Sequence, residues 1–113
     1  MRIQLRATNI AVTEQARLNG ERRARFALGR FAARIRAVSI VLKDENGPRG
    51  GLDTTCRIRV TGNAGWTLTV SDVDHDVQRA LARALGRAER AVARLVERQL
   101  NGEARDTLRR RAS

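Results

Sequence analysis

Arg79, Arg83, Arg87, Arg90, Arg94 and Arg98 recur at steps of four, four, three, four and four residues. A helix turns about 100° per residue, so all six fall within roughly 100° of arc on one face. Val77, Leu81, Ala84, Leu85, Ala88, Val92 and Leu95 gather on another face, so the arginines point away from a core. Within that span Glu89 and Glu97 are the acids that could offset them. Guanidinium groups fork onto phosphate oxygens bidentately and stack on bases. The spacing therefore predicts a rigid rod about 30 Å long whose arginine side contacts a polyanion backbone. Such a stripe reads few bases, so recognition rests on shape and phosphate position. The bland explanation for an arginine row is a solvated helix face. Few acids alternate with this one, and the charge of the whole chain agrees with it.

Other residues with chemical potential are better explained by structure. His75 is the single histidine, and the nearby Asp72, Asp74 and Asp76 suit a helix N-terminus without any metal. The run Asp44-Glu45-Asn46-Gly47-Pro48-Arg49-Gly50-Gly51 lacks EF-hand ligand spacing and the lysine-serine end of a P-loop. It reads as a turn-rich connection whose Arg49 is available to RNA. Cys56 falls in strand phase as a small buried hydrophobe. Trp66 shares phase with Leu68 and Val70, as a core residue would, and Phe26 falls away from the inner face of its helix, where peripheral packing is expected ahead of an exposed stacking role. No histidine pair, nucleophile motif or cysteine pair supplies a catalytic centre. The expectation is a protein that is not an enzyme and has no metal, no cofactor and no small-molecule substrate.

The chain has 113 residues, enough for one domain, and a net charge of +11. That balance favours nucleic acid or an anionic surface as partner. Of the 23 basic residues only Lys43 is lysine. GC-rich codon usage could supply the same arginine and alanine bias, but the net charge stands either way. Only Phe26, Phe31 and Trp66 are aromatic, so the core depends on Val, Ile, Leu and Ala. One cysteine precludes an internal disulfide and fits a reducing cytosol. The opening residues MRIQLRATNI contain no signal-peptide run, and nothing approaches the roughly 20 apolar residues of a membrane span. A soluble, cytoplasmic protein without membrane partners is expected.

The elements that position these residues follow from periodicity. Residues 2–8 alternate, with Ile3, Leu5 and Ala7 on one face and Arg2, Gln4 and Arg6 on the other, as in a half-buried strand. Thr13 can cap a helix with an inner face of Ala16, Ala24, Ala27, Leu28 and Phe31. Gly20 and Gly29 weaken that helix by about 1 kcal/mol each relative to alanine, which close packing must offset. Val38, Ile40 and Leu42 mark a second strand, Cys56, Ile58 and Val60 a third, and Trp66, Leu68 and Val70 a fourth. The Gly62–Gly65 segment is a hairpin turn. Asp72 or Asp74 is expected to cap the second helix and Asn101-Gly102 to end it. Residues 101–113 then form a loose basic tail outside a domain spanning 1–100.

The predicted fold class is α+β, in the order βαβββα: a four-stranded mixed sheet with both helices on one face, dsRBD-like in outline. Strands one and two run parallel across the helical crossover, and the hairpins are antiparallel. The uncovered sheet face carries Arg2, Arg6, Arg57 and Arg59 beside Thr55 and Thr61. It is a second candidate polyanion surface.

This order, the basic second helix and the DENGPRGGLDTTC segment (Asp44 to Cys56) together resemble the ribosome hibernation promoting factor family, which includes ribosome-associated inhibitor A. The likeness spans roughly residues 1–100. A family strand of the type IQIRxxNI aligns with Ile3-Gln4-Leu5-Arg6-Ala7-Thr8-Asn9-Ile10, followed by Val12-Thr13-Glu14. Leu28-Gly29-Arg30-Phe31 and Ile35 match the lead into the second strand, and the DENG loop resembles a subgroup of short members. The resemblance implies a stress-response or stationary-phase factor that sits in the mRNA and tRNA channel of the small ribosomal subunit. Such factors touch rRNA phosphates with basic side chains. By position, the implied contacts include Arg22, Arg25 and Arg30 of the first helix with the second-helix row. Longer members carry a C-terminal dimerisation domain; a short form needs another hibernation factor to pair ribosomes.

The expected function is therefore that of a translation inhibitor binding small-subunit rRNA. The leading contacts are Arg79, Arg83, Arg87, Arg90 and Arg94, with Arg22, Arg25 and Arg57 behind them. A general RNA- or DNA-binding module without ribosome specificity is the first alternative. An adaptor that docks an acidic protein is the second.

Overall fold

The computed structural model describes residues 1–44 and 53–112, so residues 45–52, for which a turn-rich connection with an RNA-accessible Arg49 is expected, lie outside the described residues. The elements are β1 (Arg2–Thr8), α1 (Glu14–Leu28), a 3-10 segment (Gly29–Arg34), β2 (Ile35–Asp44), β3 (Thr54–Gly62), β4 (Thr67–Asp74) and α2 (Val77–Ala112). The strands form one sheet in the order β1-β2-β3-β4. β1 and β2 are parallel, while β2–β3 and β3–β4 are antiparallel. This is the α+β arrangement that the periodicity predicts.

Alternation explains the layering. Leu5, Val38, Ile40, Leu42, Cys56, Ile58 and Val60 point inward and are buried. Ala24 and Leu28 of α1 and Ala80, Leu81, Ala84, Leu85, Ala88, Val92 and Val96 of α2 close over them. α1 packs on β1 and on α2, and α2 packs on β3 and β4. Val96 is buried, whereas Leu95, placed on the apolar face by its spacing, is half-buried. Helices rich in alanine approach one another and the sheet closely. Gly20 takes this furthest, since a Cβ there would lie 2.6 Å from Leu5 Cδ1.

The helix starts have distinct chemistry. Thr13 accepts from the Ala16 N–H at 3.1 Å, as a cap should. At α2 the cap is Asp76, whose carboxylate accepts from the Gln78 N–H at 2.8 Å. Asp74 instead accepts from the Asp76 N–H at 2.9 Å, and Asp72 from the Val73 N–H at 2.8 Å. The expected cap at Asp72 or Asp74 is thus four or two residues too early. Both edges of the sheet are managed by side chains. On β1 the Leu5 N–H donates to Glu21 of α1 at 3.2 Å, and Arg17 grips the same carboxylate at 2.7 Å.

α2 does not stop at Asn101-Gly102. It runs on to Ala112, 36 residues in all, or about 54 Å of helix. Gly65 is the described glycine with positive φ, so Gly102 does not adopt the left-handed backbone of a helix stop. Glu103, Ala104, Arg105 and Leu108 are good helix formers, and Arg109, Arg110 and Arg111 favour the negative C-terminal end. Extending an existing helix through one glycine costs about 1 kcal/mol, with no new nucleation step. The last buried residue is Val96, so the remainder projects past the sheet. Arg34 reaches it at Gln99 (3.5 Å) and Glu103 (3.8 Å). The projection stretches the molecule to 65 × 25 × 19 Å and its radius of gyration to 16.9 Å, against about 13 Å for a compact chain of this length.

Gly62 and Gly102 make contrasting predictions. A Cβ at Gly62 would lie 2.0 Å from the Trp66 ring, which covers that backbone. Gly62→Ala should cost about 1–3 kcal/mol and red-shift the emission of Trp66, the single tryptophan. Gly102 has nothing within 4 Å, so Gly102→Ala should instead slow amide exchange in residues 97–112 by gaining about 1 kcal/mol of helix propensity.

Candidate nucleic-acid interface

Packing of the Ala80–Ala84–Ala88 ridge on the sheet turns Arg79, Arg83, Arg87, Arg90, Arg94 and Arg98 outward, and all six are exposed. The row leans toward β4. Arg87 Nη1 donates to the Ser71 carbonyl at 2.7 Å and lies 3.9 Å from Asp72. Arg83 is 3.5 Å from Asp72 and 3.4 Å from Asp74. These two carboxylates are largely covered, with side-chain exposures of 11% and 16%. The row therefore divides. Arg83 and Arg87 are clasped by β4, while Arg79, Arg90, Arg94 and Arg98 form no ion pair among the described residues. The helix sequence alone offered Glu89 and Glu97 as counter-charges, but Glu89 pairs with Arg30 of the 3-10 segment at 3.5 Å.

The clasp sets the ionisation of its neighbours. The Asp76 N–H holds the Asp74 carboxyl below its ordinary value of 3.8; partial desolvation opposes this, and the charges of Arg79 and Arg83 assist it. Burial, then the charge of Asp72, pushes the Cys56 thiol up to about 12. Cys56 stays protonated at neutral pH and is a packing residue, as its strand phase predicts.

A second cationic surface covers the opposite side of the sheet. Strand register brings its residues into cross-sheet rows: Thr8, Lys43, Thr55 and Val73; Arg6, Val41, Arg57 and Ser71; Gln4, Ser39, Arg59 and Thr69; Arg2, Ala37, Thr61 and Thr67. These rows hold five cations and no acid, with hydroxyls between them. Lys43 joins Arg2, Arg6, Arg57 and Arg59 here; its alternation against Leu42 was the available signal. Hydroxyl and guanidinium donors at strand spacing are suited to phosphate and ribose oxygens.

The two surfaces meet at β4. Arg57 lies opposite Ser71 in the register, and Arg87 bonds the Ser71 carbonyl, so cations continue around the strand edge from sheet to helix. Arg22 and Arg25 are exposed but belong to α1, across α2 from this edge. They do not join the same patch. Arg30 is engaged with Glu89 and lies over the Phe31 ring, 4.5 Å from its centroid. Phe26 is 91% exposed rather than packed at the periphery. Among the described residues no cluster of His, Cys, Asp and Glu has the makings of a metal site. No described helix is long and apolar enough to cross a membrane.

No protein-family model matches this chain, and no curated protein matches it in sequence. Solved structures do match in shape. The N-terminal domain of Protein Y from Thermus thermophilus superposes with a TM-score of 0.69 at 24% identity, over 84% of this chain and 99% of that one. A ribosomal subunit interface protein from Coxiella burnetii gives 0.69 at 15% identity, over 86% of this chain and 99% of that one. At these identities the shared property is the fold.

The clasp has a pH signature. A carboxyl with a lowered folded pKa contributes stability that is complete above its unfolded value and lost as pH falls through the folded one. Asp74→Asn keeps the acceptor for the Asp76 N–H but removes the charge facing Arg79 and Arg83. The variant should be less stable than wild type in denaturant melts at pH 7. The difference should begin to shrink as pH falls below the unfolded carboxyl value of about 4, and vanish only below the lowered folded value, where the wild-type carboxylate also protonates.

Proposed function

We propose that this protein is a ribosome-associated translation inhibitor of the hibernation promoting factor type. It binds rRNA of the small ribosomal subunit and sterically blocks the channel through which mRNA and tRNA pass. The observation that carries this reading is the continuous cationic surface around β4, formed by the acid-free sheet face and the arginine row of α2. Its support is the fold held in common with a Protein Y domain and a ribosomal subunit interface protein. The reading also agrees with the motif resemblance over residues 1–100.

In this mechanism the protein performs no bond chemistry. The rigid α2 rod and the twisted sheet present arginines at fixed spacing to phosphates, and the body fills space that anticodon stems and message require. Arg90, Arg94 and Arg98 need not break internal pairs to engage RNA. Arg83 and Arg87 exchange partial neutralisation by Asp72 and Asp74 for phosphate, so they contribute less per residue. Arg57 extends the contact onto the sheet, and Arg22 and Arg25 form a separate flank. The segment 101–113 is an appendage outside the binding domain, with Arg105, Arg109, Arg110 and Arg111 adding long-range attraction. Pairing of ribosomes, where it occurs, is assigned to another hibernation factor.

Co-sedimentation with small subunits at physiological salt, in the presence of excess bulk tRNA and duplex DNA, tests this reading. Saturable binding near one copy per subunit that survives the competitors is expected. Loss to the competitors would leave a general RNA- or DNA-binding module. The variant Arg90→Glu, Arg94→Glu, Arg98→Glu leaves the β4 clasp intact, so it should melt like wild type yet fail to sediment with subunits. A folded triple variant that still binds would remove α2 from the interface.

A further inference from the structure

Phe26 lies on α1 with 91% of its surface exposed, where the core does nothing to hold a phenyl ring. The ring lines a groove of about 480 Å³ between α1 and α2. Ala82 and Gly86 on the α2 side leave that groove open. A Cβ on Gly86 would approach only the Arg90 guanidinium, at 3.5 Å, so packing does not demand a glycine there. Arg22 and Arg23 stand on the α1 wall, with Arg23 steadied by Gln78 at 2.7 Å. The one acid of the groove, Glu89, is 3.5 Å from Arg30 and thereby offset. The result is a bare aromatic face beside a cationic rim.

We propose that this groove receives one unpaired nucleobase of an RNA, stacked on Phe26, with its flanking phosphates directed to Arg22 and Arg23. The inference rests on the RNA-binding reading above but uses a surface across α2 from the β4 edge. Charge complementarity selects the occupant: a phosphate-bearing ligand suits the rim, and a π-face suits the ring whatever the base. It also gives Arg22 a role that the cationic surface around β4 does not. An aliphatic peptide would instead leave the arginines without partners.

Fluorescence anisotropy of the full chain with two probes, a labelled single-stranded oligoadenylate and a labelled RNA duplex, tests it. Phe26→Leu should weaken oligoadenylate binding roughly 5- to 150-fold, the span of one base–aromatic stack, and leave duplex binding unchanged. Phe26→Trp should restore the single-strand affinity. An abasic oligomer should bind wild type no better than Phe26→Leu does. Because the ring is exposed, the melting temperatures of these variants should match wild type. Equal oligoadenylate binding by wild type and Phe26→Leu, with the duplex still bound, would eliminate the base pocket and leave the arginine surface standing. Failure of wild type to bind either RNA would overturn both.

Discussion

The burial of Ala80, Ala84 and Ala88 against β3 and β4, each with no remaining exposure, fixes the rotation of α2 about its axis. Every charge on that helix follows from this constraint. The residue before a ridge alanine lies about 100° around the helix from it, toward the strand edge, and that is where Arg83 and Arg87 find Asp72, Asp74 and the Ser71 carbonyl. A bulkier ridge would lift the helix and part these groups. The small side chains that give the core its modest volume therefore also give the cationic row its address.

Charge is distributed by the same geometry. Acids concentrate where caps and clasps use them: Asp76 at the start of α2, Asp72 and Asp74 under Arg83, Glu21 at the β1 edge, Glu14 on Arg17. The sheet face that no helix covers carries none among its described rows. A net charge of +11 is thus not a uniform coat. It resolves into a patch around β4, a flank on α1 and a basic end to α2, with potentials that steer a polyanion before contact.

Much of this was legible in one dimension. Period-two alternation in Ile3–Leu5, Val38–Leu42 and Cys56–Val60 predicted both the strands and the face they bury, because a one-residue slip would expose every one of them. Thr13 announced its helix through a local hydrogen bond. What was not legible depended on contacts between distant residues. Asp72 and Asp74 read as caps because nothing in the sequence says that Arg83 will lie above them. Asn101-Gly102 read as a stop, but a glycine stops a helix only when its backbone turns left-handed, and here continuation is favoured on both sides. Phe26 read as peripheral packing because apolar residues usually find a neighbour, whereas the groove beside it is lined by Ala82 and Gly86, which offer no bulk.

The most direct measurement is an electron cryo-microscopy reconstruction of the small ribosomal subunit saturated with this protein. Density for the domain within the mRNA and tRNA path, with the β4 edge, Arg57 and Arg90 to Arg98 facing rRNA phosphates, is the result expected of a channel-blocking factor. Density on the solvent side of the subunit, or within the channel but with the β4 edge turned away from rRNA, would contradict that role.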